Sequence, residues 1–274
     1  MITKGSFRPA RSGDISRIAG CLVEGGLFAA EMELADYIRR HPWGIHLHQR
    51  CPEETHAVLD VWREGTGTSI IRLFKSRPRD QRPFISYLLD VLVDEGFSDA
   101  LSPGLLPSAT RPFKKAGFVE CERLLVLKKR SLLHVPTQKA CELRRLAAGD
   151  AGGIAAIDEE CFDDMWRFRI GDTQKMLASV NGFVAIQNGA AMGYTMVSTS
   201  REAGTVGRLA VRPEHRNRGV GSTLLAAGLD WLREAGAKEV TLCTQRGNLR
   251  SRRLYRSFGF EQLPEELWIM QKDL

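Results

Sequence analysis

Short alternating or apolar runs, each followed by a segment with helical periodicity, are most regular in the second half of the chain. They predict these elements in order: a strand at 141–146, a helix from 149 through 157, strands at 182–186, 191–198 and 205–211, a helix at 222–235, a strand at 238–244, a helix at 249–258 and a strand at 266–271. Asn188-Gly189 favours a hairpin between the second and third strands. The fold class predicted is α/β, with a mixed central sheet flanked by helices.

The first half repeats this plan. FRPARSGDISRIAGC, which begins at Phe7, aligns with LRRLAAGDAGGIAAI, which begins at Leu143. The colinear matches are Arg8 with Arg144, Gly13-Asp14 with Gly149-Asp150, Ile18 with Ile154, Arg72-Leu73 with Arg208-Leu209 and, at an offset six residues larger, Phe118 with Phe260. We interpret the chain as a tandem duplication. Residues 1–130 form a first domain, 131–140 a Pro-containing linker and 141–274 a second domain.

Composition narrows the class of protein. The chain has 274 residues, 43% of them apolar, and a net charge of +6. No stretch approaches the roughly 18 consecutive apolar residues of a membrane span, and the beginning lacks the apolar region of a secretion signal. Six scattered cysteines form no C-x-x-C pair, and we found no histidine near them at zinc-ligand spacing. These features predict a cytoplasmic protein with reduced thiols.

The stretch LAVRPEHRNRGVGSTLL, from Leu209 to Leu225, carries the most informative chemistry. Gly219 and Gly221 permit backbone conformations that a Cβ would resist, so that successive amides can point into one concave nest. We predict Ser222 as the N-cap of the following helix, whose positive dipole end faces the same space. Such a loop can bind a pyrophosphate. Taken alone, R-x-x-G-x-G is a weak motif, and a simple Gly-rich turn explains it equally well.

A second stretch, GNLRSRRLYRSFGF, follows the next predicted strand. Asn248 is suited to cap its helix, and Tyr255 lies two turns along. Gly259 is predicted to end the helix in the left-handed conformation. Two helix N-termini would then open beside one crevice. The whole segment from Arg208 to Arg256 is rich in arginine, which suits an anionic ligand.

In these two stretches the chain resembles the GCN5-related N-acetyltransferase (GNAT) family. LAV-x-P-x-x-R-x-x-G-x-G-S resembles its acetyl-CoA signature, N-x-x-S-x-x-x-Y-x-x-x-G-F its closing motif, and the resemblance covers the second half nearly end to end. It implies that the backbone of Leu209, Ala210 and Val211 pairs with the pantetheine arm, and that this strand splays from 238–244. Amides of Arg216, Asn217, Arg218, Gly219, Val220, Gly221 and Ser222 would hold the pyrophosphate. Asn248 and Ser251 would also contact acetyl-CoA, and Tyr255 would be the general acid.

A phenol suits that role, because its pKa near 10 leaves it protonated at neutral pH and able to protonate a departing thiolate. A packing aromatic is the alternative for Tyr255. The base is less clear, since Thr205 and Arg208 stand on the strand where many family members place a glutamate. Glu214 and His215, in the following turn, fit solvated loop residues better, and a water chain is another candidate. The acidic stretch 158–166 suits either attraction of a cationic amine or a solvated helix face.

The first half lacks this machinery. In the region opposite Gly219 and Gly221 stand Arg79 and Gln81, or Pro83 and Ile85, instead of glycines. Opposite Asn248 and Tyr255, at the larger offset, stand Leu106 and Phe113. We predict a degenerate GNAT-like copy that supports the active half or covers its acceptor groove. His46 and His48 alternate on IHLHQ like paired metal ligands. No third ligand is evident, so we expect no metal.

The sequence therefore predicts two tandem GNAT folds and an N-acetyltransferase that moves the acetyl group of acetyl-CoA directly to a primary amine. A small molecule or a peptide is the expected acceptor, without membrane or nucleic acid partners. The alternatives are a non-catalytic acyl-CoA-binding sensor and an enzyme resembling mycothiol synthase, whose tandem halves are similar. Acceptor identity, acyl chain length and oligomeric state stay open, because a fold and a cofactor site do not determine them.

Overall fold

Both halves of the chain form the same succession of elements in the computed structural model, which describes residues 4–23, 27–28, 30–132 and 139–274. The first half contains β1 (Phe7–Pro9), α1 (Ile15–Leu22), α2 (Glu31–Arg40), β2 (Ile45–His48), β3 (His56–Val61), β4 (Thr68–Lys75), α3 (Gln81–Asp94), β5 (Asp99–Leu101), α4 (Arg111–Lys115) and β6 (Val119–Lys129). The second contains β7 (Glu142–Arg145), α5 (Ala151–Cys161), α6 (Ile170–Leu177), β8 (Asn181–Gln187), β9 (Ala190–Ser200), β10 (Ala203–Val211), α7 (Val220–Glu234), β11 (Glu239–Gln245), α8 (Leu249–Ser257) and β12 (Glu261–Asp273).

The chain divides into two compact units. Unit 1 consists of Met1–Arg123 with Leu267–Leu274, and unit 2 consists of Leu124–Glu266. In unit 1, β1, β2, β3 and β4 form an antiparallel meander, β5 pairs parallel to β4, and the end of β12 pairs antiparallel to β5. In unit 2, β7, β8, β9 and β10 form the same meander, with β11 parallel to β10 and the end of β6 antiparallel to β11. The predicted mixed α/β fold is confirmed in both units.

The sixth strand of each unit comes from the end of the other half of the sequence. In unit 1 it is the segment Gln271–Asp273, and in unit 2 it is the segment from Leu124 to Lys129. Met270, in the C-terminal segment, is fully buried in the core of unit 1 beneath β5 and α3. Folding of unit 1 therefore depends on the last residues of the chain.

Apolar side chains from the helices fill both faces of each sheet. In unit 1 one cluster gathers around α3 and a second around α1 and α2. In unit 2 one cluster joins α7, α8 and β11, while another joins α5 to β9 and β10. Helices on both sides of a mixed sheet leave the strand ends free to carry a site.

The repeated residues of the sequence make the same contacts in both units. Arg8 forms a two-pronged ion pair with Asp14, at 2.7 and 2.8 Å, and Arg144 forms the same pair with Asp150, at 2.9 and 2.6 Å. Each carboxylate also accepts a backbone N–H three residues before it, at 2.8 Å. The arginine in each pair lowers the pKa of its aspartate. The motif fixes the entry of the chain into α1 and α5.

Most predicted elements are present within two or three residues of the expected bounds. Asn188 and Gly189 both have positive φ, at 51° and 78°, as the hairpin between β8 and β9 requires. The sequence missed α6, which is only eight residues long, and it placed the start of β12 too late. Of the predicted linker 131–140, residues 133–138 lie outside the described residues. No helix among the described residues is long and apolar enough to span a membrane.

We expect Met270→Ala to destabilise unit 1, because truncation of a fully buried side chain leaves a cavity. The free energy of unfolding of that unit should fall by about 2–5 kcal/mol. Hydrogen exchange of β4 and β5 would measure the loss. Met32→Ala is the matched control, since Met32 is 79% exposed, and should change little. Faster exchange confined to unit 2 would contradict the assignment of the last residues to unit 1.

Candidate active site

β10 and β11 run parallel but separate soon after they begin. Their ladder covers the first three residues of β10, up to Thr205 opposite Thr241. Beyond that point β10 continues to Val211 paired with β9, and β11 continues to Gln245 paired with β6. After Thr205, no strand in the described part of the chain pairs with the other side of β10. The two strands therefore enclose an open cleft in unit 2.

Backbone groups at the end of β10 point into this cleft. The Arg212 amide donates to the Met192 carbonyl of β9 at 2.8 Å, so alternation directs the backbone of Leu209 and Val211 to the opposite side. The Val211 carbonyl accepts there from Arg216 Nε at 2.9 Å. The amide and carbonyl of Leu209 and the amide of Val211 thus form a short strand edge facing the cleft. An extended chain with amide groups could pair along it.

α7 begins at the far end of this edge, two residues earlier than predicted. Gly219 is its N-cap, with a φ of +81°, and Val220 is its first residue. The prediction that Ser222 caps the helix is wrong, because the left-handed Gly219 turns the chain into the helix directly. The first intrahelical bond runs from the Thr223 amide to the Gly219 carbonyl at 2.9 Å.

The early start of α7 leaves three amides free of helical partners, those of Val220, Gly221 and Ser222. They lie at the positive end of a 15-residue helix, which is a ready anion site. Asn217, just before, has a φ of 60° and is exposed. The Arg216 amide is less available, since it donates to the Pro213 carbonyl at 3.3 Å in a short 3-10 turn.

α8 follows β11, the other strand of the cleft. As predicted, Asn248 caps it, and its side-chain oxygen accepts from the Ser251 amide at 3.2 Å. Gly259, with a φ of 76°, ends it, and the Phe260 amide closes back on the Tyr255 carbonyl at 3.0 Å. The helix thus positions Tyr255 relative to the sheet at both ends.

The Tyr255 ring is buried and packs edge-on against Phe260, with centroids 5.8 Å apart. Burial raises the pKa of Tyr255 to about 12. Its hydroxyl has no hydrogen-bond partner among the residues described. The ring therefore packs in the core, which is the alternative role that the sequence allowed. The phenol also keeps its proton at neutral and moderately alkaline pH.

Arg208 occupies the strand position where a carboxylate base was sought, and it forms a buried ion pair instead. A β-bulge at Gly207 sets its direction. Its guanidinium donates to Asp158 and to the Trp166 carbonyl, and it stacks 3.6 Å from the ring centroid of Phe162. Asp158 has no exposed surface. Since a guanidinium stays charged at any working pH, Arg208 cannot accept a proton from an amine.

Tyr194 completes this cluster by donating its hydroxyl to Asp158, and the Phe168 amide donates to the same carboxylate at 2.7 Å. Burial and the neighbouring carboxylate raise the pKa of Tyr194. The sequence alone does not predict that Arg208, Asp158 and Tyr194 are in contact. The missing information was that α5 lies across β9 and β10, which joins residues 50 positions apart.

The acidic stretch 158–166 carries less free negative charge than its sequence suggests. Besides Asp158, Glu160 pairs with Arg212, and Asp164 pairs with Arg167. Glu214, proposed as a weak candidate base, is more than half exposed and lies 3.8 Å from His215 Nε2. The geometry therefore provides no strong carboxylate base in the cleft from these residues.

The corresponding positions of unit 1 are filled differently. Phe113, opposite Tyr255 in the repeat, is buried against Phe118 in the core, and Leu106 is exposed. Among the described residues, His46 and His48 do not come together as metal ligands. Both ring nitrogens of His46 are occupied, by the Tyr87 hydroxyl at 2.9 Å and the Trp43 carbonyl at 2.8 Å. His48 instead contacts Cys51, a proximity that the short spacing H-x-x-C could have indicated.

Comparison with known proteins agrees with this geometry. Residues 153–260 match the family described as Acetyltransferase (GNAT) family. The chain is similar to Mycothiol acetyltransferase of Acidimicrobium ferrooxidans, with 39% identity over 85 residues, covering 29% of this chain and 27% of that protein. It is also similar to the uncharacterised N-acetyltransferase YhfO of Bacillus subtilis, with 33% identity over 85 residues, covering 29% of this chain and 57% of that protein. The chain thus matches only part of either relative.

Two solved structures share the fold over nearly the whole chain. A tandem GNAT protein from the clavulanic acid biosynthesis pathway aligns with a TM-score of 0.68 at 14% identity, covering 97% of this chain and 98% of that one. A GCN5-related N-acetyltransferase from Sphaerobacter thermophilus aligns with a TM-score of 0.66 at 16% identity, covering 97% and 95%. At such identities the likeness establishes the fold, and the predicted tandem arrangement is confirmed.

We expect Asp158→Asn to destabilise unit 2 strongly, because it leaves the buried Arg208 guanidinium without its counter-charge. The free energy of unfolding should fall by about 3–5 kcal/mol, as urea denaturation would measure. Asp164→Asn removes a carboxylate whose side chain is 80% exposed and should cost less than about 0.5 kcal/mol. Equal stability of the two variants would show that the Asp158–Arg208 pair does not hold α5 to the sheet.

Proposed function

We propose that this chain is an acetyl-CoA-dependent N-acetyltransferase acting on a primary amine, because residues 153–260 match the acetyltransferase (GNAT) family. The observation that carries the proposal is the open cleft between β10 and β11, with the first amides of α7 at one end and Tyr255 on the helix that follows β11. The strand edge can bind the pantetheine arm, the N-terminus of α7 can bind the pyrophosphate, and the Tyr255 phenol can protonate the leaving sulfur.

The residues present fit acetyl-CoA. Its pyrophosphate is an anion, and the amides of Val220, Gly221 and Ser222 supply donors without helical partners. Its pantetheine arm contains two amides, which can pair with the backbone edge at Leu209 and Val211 as another strand would. We assign Asn217, Arg218 and Gly219 to the loop that shapes the phosphate site. Ala210, Asn248 and Ser251 frame the cleft from β10 and α8.

The group that acetyl-CoA supplies is a thioester carbonyl. In the proposed reaction the nitrogen lone pair of the amine forms the new C–N bond, the C–S bond breaks, and the departing sulfur takes the Tyr255 phenolic proton. The nitrogen loses one proton to water, and Tyr255 regains one from solvent, so the sum of protons is unchanged. A pKa of about 12 for Tyr255 keeps the donor loaded at neutral pH. Much of the remaining acceleration comes from holding amine and thioester together.

The proposed path uses no protein carboxylate to deprotonate the amine. Arg208 stands at the position examined for a base, and its charge is already neutralised by Asp158. We propose that water passes the proton of the incoming ammonium to bulk solvent. The reaction rate should therefore follow the fraction of acceptor present as free amine.

The experiment measures release of free CoA thiol from acetyl-CoA with polyamines, aminoglycosides, amino acids and short peptides as acceptors. Tyr255→Phe keeps the ring and removes the phenolic proton, so we expect kcat to fall by about 100-fold or more while acetyl-CoA binding is retained. Tyr87→Phe, in unit 1, is the matched control and should leave kcat unchanged. If Tyr255→Phe kept the full kcat, the Tyr255 phenol would not be the proton donor.

A second measurement tests the anion site separately. Gly219→Ala places a Cβ on a residue with a φ of +81° and within 2.9 Å of the Ala140 Cβ. The strain of about 1–2 kcal/mol should weaken acetyl-CoA binding roughly tenfold, as calorimetry would measure. Gly152→Ala is the control, because an added Cβ there meets nothing within 4 Å. If the two variants bound acetyl-CoA equally well, the phosphate site would not lie at Gly219.

The acceptor panel also separates two alternatives. Identity of 39% over 85 residues to Mycothiol acetyltransferase favours a small thiol-bearing amine as the acceptor, and such a compound belongs in the panel. Preference for it over peptides would support that narrower function. Tight acetyl-CoA binding with no turnover on any acceptor would favour a non-catalytic sensor. Failure to bind acetyl-CoA at all would overturn the proposal.

A further inference from the structure

Unit 1 contains a buried group of three metal-ligating side chains that the proposed reaction does not use. His48 ends β2, Cys51 lies in the loop between β2 and β3, and Asp80 directly precedes α3. One ligand atom from each lies within 4.8 Å of the other two. All three residues are at least nine-tenths buried. A histidine, a thiol and a carboxylate converge here although the sequence separates them by up to 32 positions.

The surrounding backbone holds the group together. The His48 amide donates to the Thr55 carbonyl at 2.9 Å, and the Thr55 amide donates to the Cys51 carbonyl at 3.1 Å, which closes the loop. The Thr55 hydroxyl donates to Asp80 Oδ2 at 3.2 Å, and Arg77 Nε donates to the same oxygen at 2.6 Å. The loop and the start of α3 are thus tied to each other through one carboxylate oxygen.

The other oxygen of this carboxylate is unsatisfied. Asp80 Oδ1 is buried and has no hydrogen-bond partner among the described residues, and Arg79 Nε lies 4.0 Å from it. A buried carboxylate oxygen without a donor costs free energy, so such an atom indicates a missing partner. A cation beside Cys51 and His48 would supply that partner.

The His48 ring lies beside Cys51, with Cys51 Sγ 3.1 Å from Nδ1. The Arg50 amide donates to the same nitrogen at 3.2 Å, so a cation bound at Nδ1 would replace this hydrogen bond. Burial lowers the pKa of His48. Burial also raises the pKa of Cys51, which argues against a free thiolate nucleophile.

We propose that His48, Cys51 and Asp80 form a zinc site, with the fourth position taken by water. Mixed nitrogen, sulfur and oxygen donors in a group of three are typical of Zn²⁺. Metal-ligand bonds of about 2.0–2.3 Å place tetrahedral ligands roughly 3.3–3.8 Å apart, so the side chains need only close slightly. On binding, the Cys51 proton leaves to solvent, the S–Zn bond forms, and no electron is transferred. The sequence by itself predicts no metal, because no third ligand is evident beside His46 and His48.

The site lies where unit 2 has its anion-binding loop. Asp80 is the N-cap of α3, and Gly219 is the N-cap of α7, the helix in the corresponding position of unit 2. A buried carboxylate there opposes a phosphate and attracts a cation. The proposal therefore gives unit 1 a cation site in place of the anion site, and it is independent of the acetyl transfer assigned to unit 2.

The test uses the full-length chain, stripped of metal with a chelator and titrated with Co²⁺. We expect one equivalent to produce the near-ultraviolet thiolate-to-cobalt charge-transfer band and the visible bands of a tetrahedral ion, and Zn²⁺ to abolish both. Cys51→Ser should eliminate the charge-transfer band, and Asp80→Asn should weaken Zn²⁺ binding at least tenfold. Cys121→Ser, another thiol of unit 1, should leave both unchanged. No thiolate band in the wild type, or an equal band in Cys51→Ser, would overturn the proposal.

Two measurements on the wild-type chain test the site even if a variant fails to fold. Saturation with Zn²⁺ at 100 times its Kd should raise Tm of unit 1 by on the order of 10 °C. X-ray absorption at the zinc edge should show one sulfur together with nitrogen and oxygen ligands. A zinc shell without sulfur would show that the ion binds elsewhere and would refute the site.

Discussion

The separation of β10 from β11 after Thr205 is the constraint on which the candidate active site depends. Paired strands satisfy each other's backbone groups, so a cleft in a sheet can persist only where both strands have other partners. β9 covers one side of β10 through Val211, and the end of β6 covers β11 through Gln245. The open edge between them is therefore a stable feature of unit 2, available for an extended ligand.

The helices that follow these two strands complete the cleft. Gly219 sets where α7 begins and therefore which amides are free, while Asn248 and Gly259 set the two ends of α8 and thus the position of Tyr255. On the opposite face, the buried pair of Asp158 and Arg208 fastens α5 to β10. Each of these caps and contacts is local, and the sheet places them around one cleft.

The two units share one architecture but carry different residues at the start of the helix that follows the fourth strand. The ion pair at the entry of the first long helix is retained in both, as are the strand order and the left-handed glycine before Phe118 and Phe260. These residues maintain the fold. The residues that would contact a ligand differ completely, and in unit 1 the equivalent region gathers His48, Cys51 and Asp80.

The sequence by itself determined the duplication, most helices and strands, the hairpin at Asn188-Gly189, and the caps at Asn248 and Gly259, because periodicity, turns and caps depend on neighbours in the chain. Tertiary structure decided that Arg208 meets Asp158, that the end of β12 closes the sheet of unit 1, and that His48 lies with Cys51 and Asp80 rather than with His46. Such contacts join residues tens or more than a hundred positions apart. They depend on how elements pack, which no local pattern encodes.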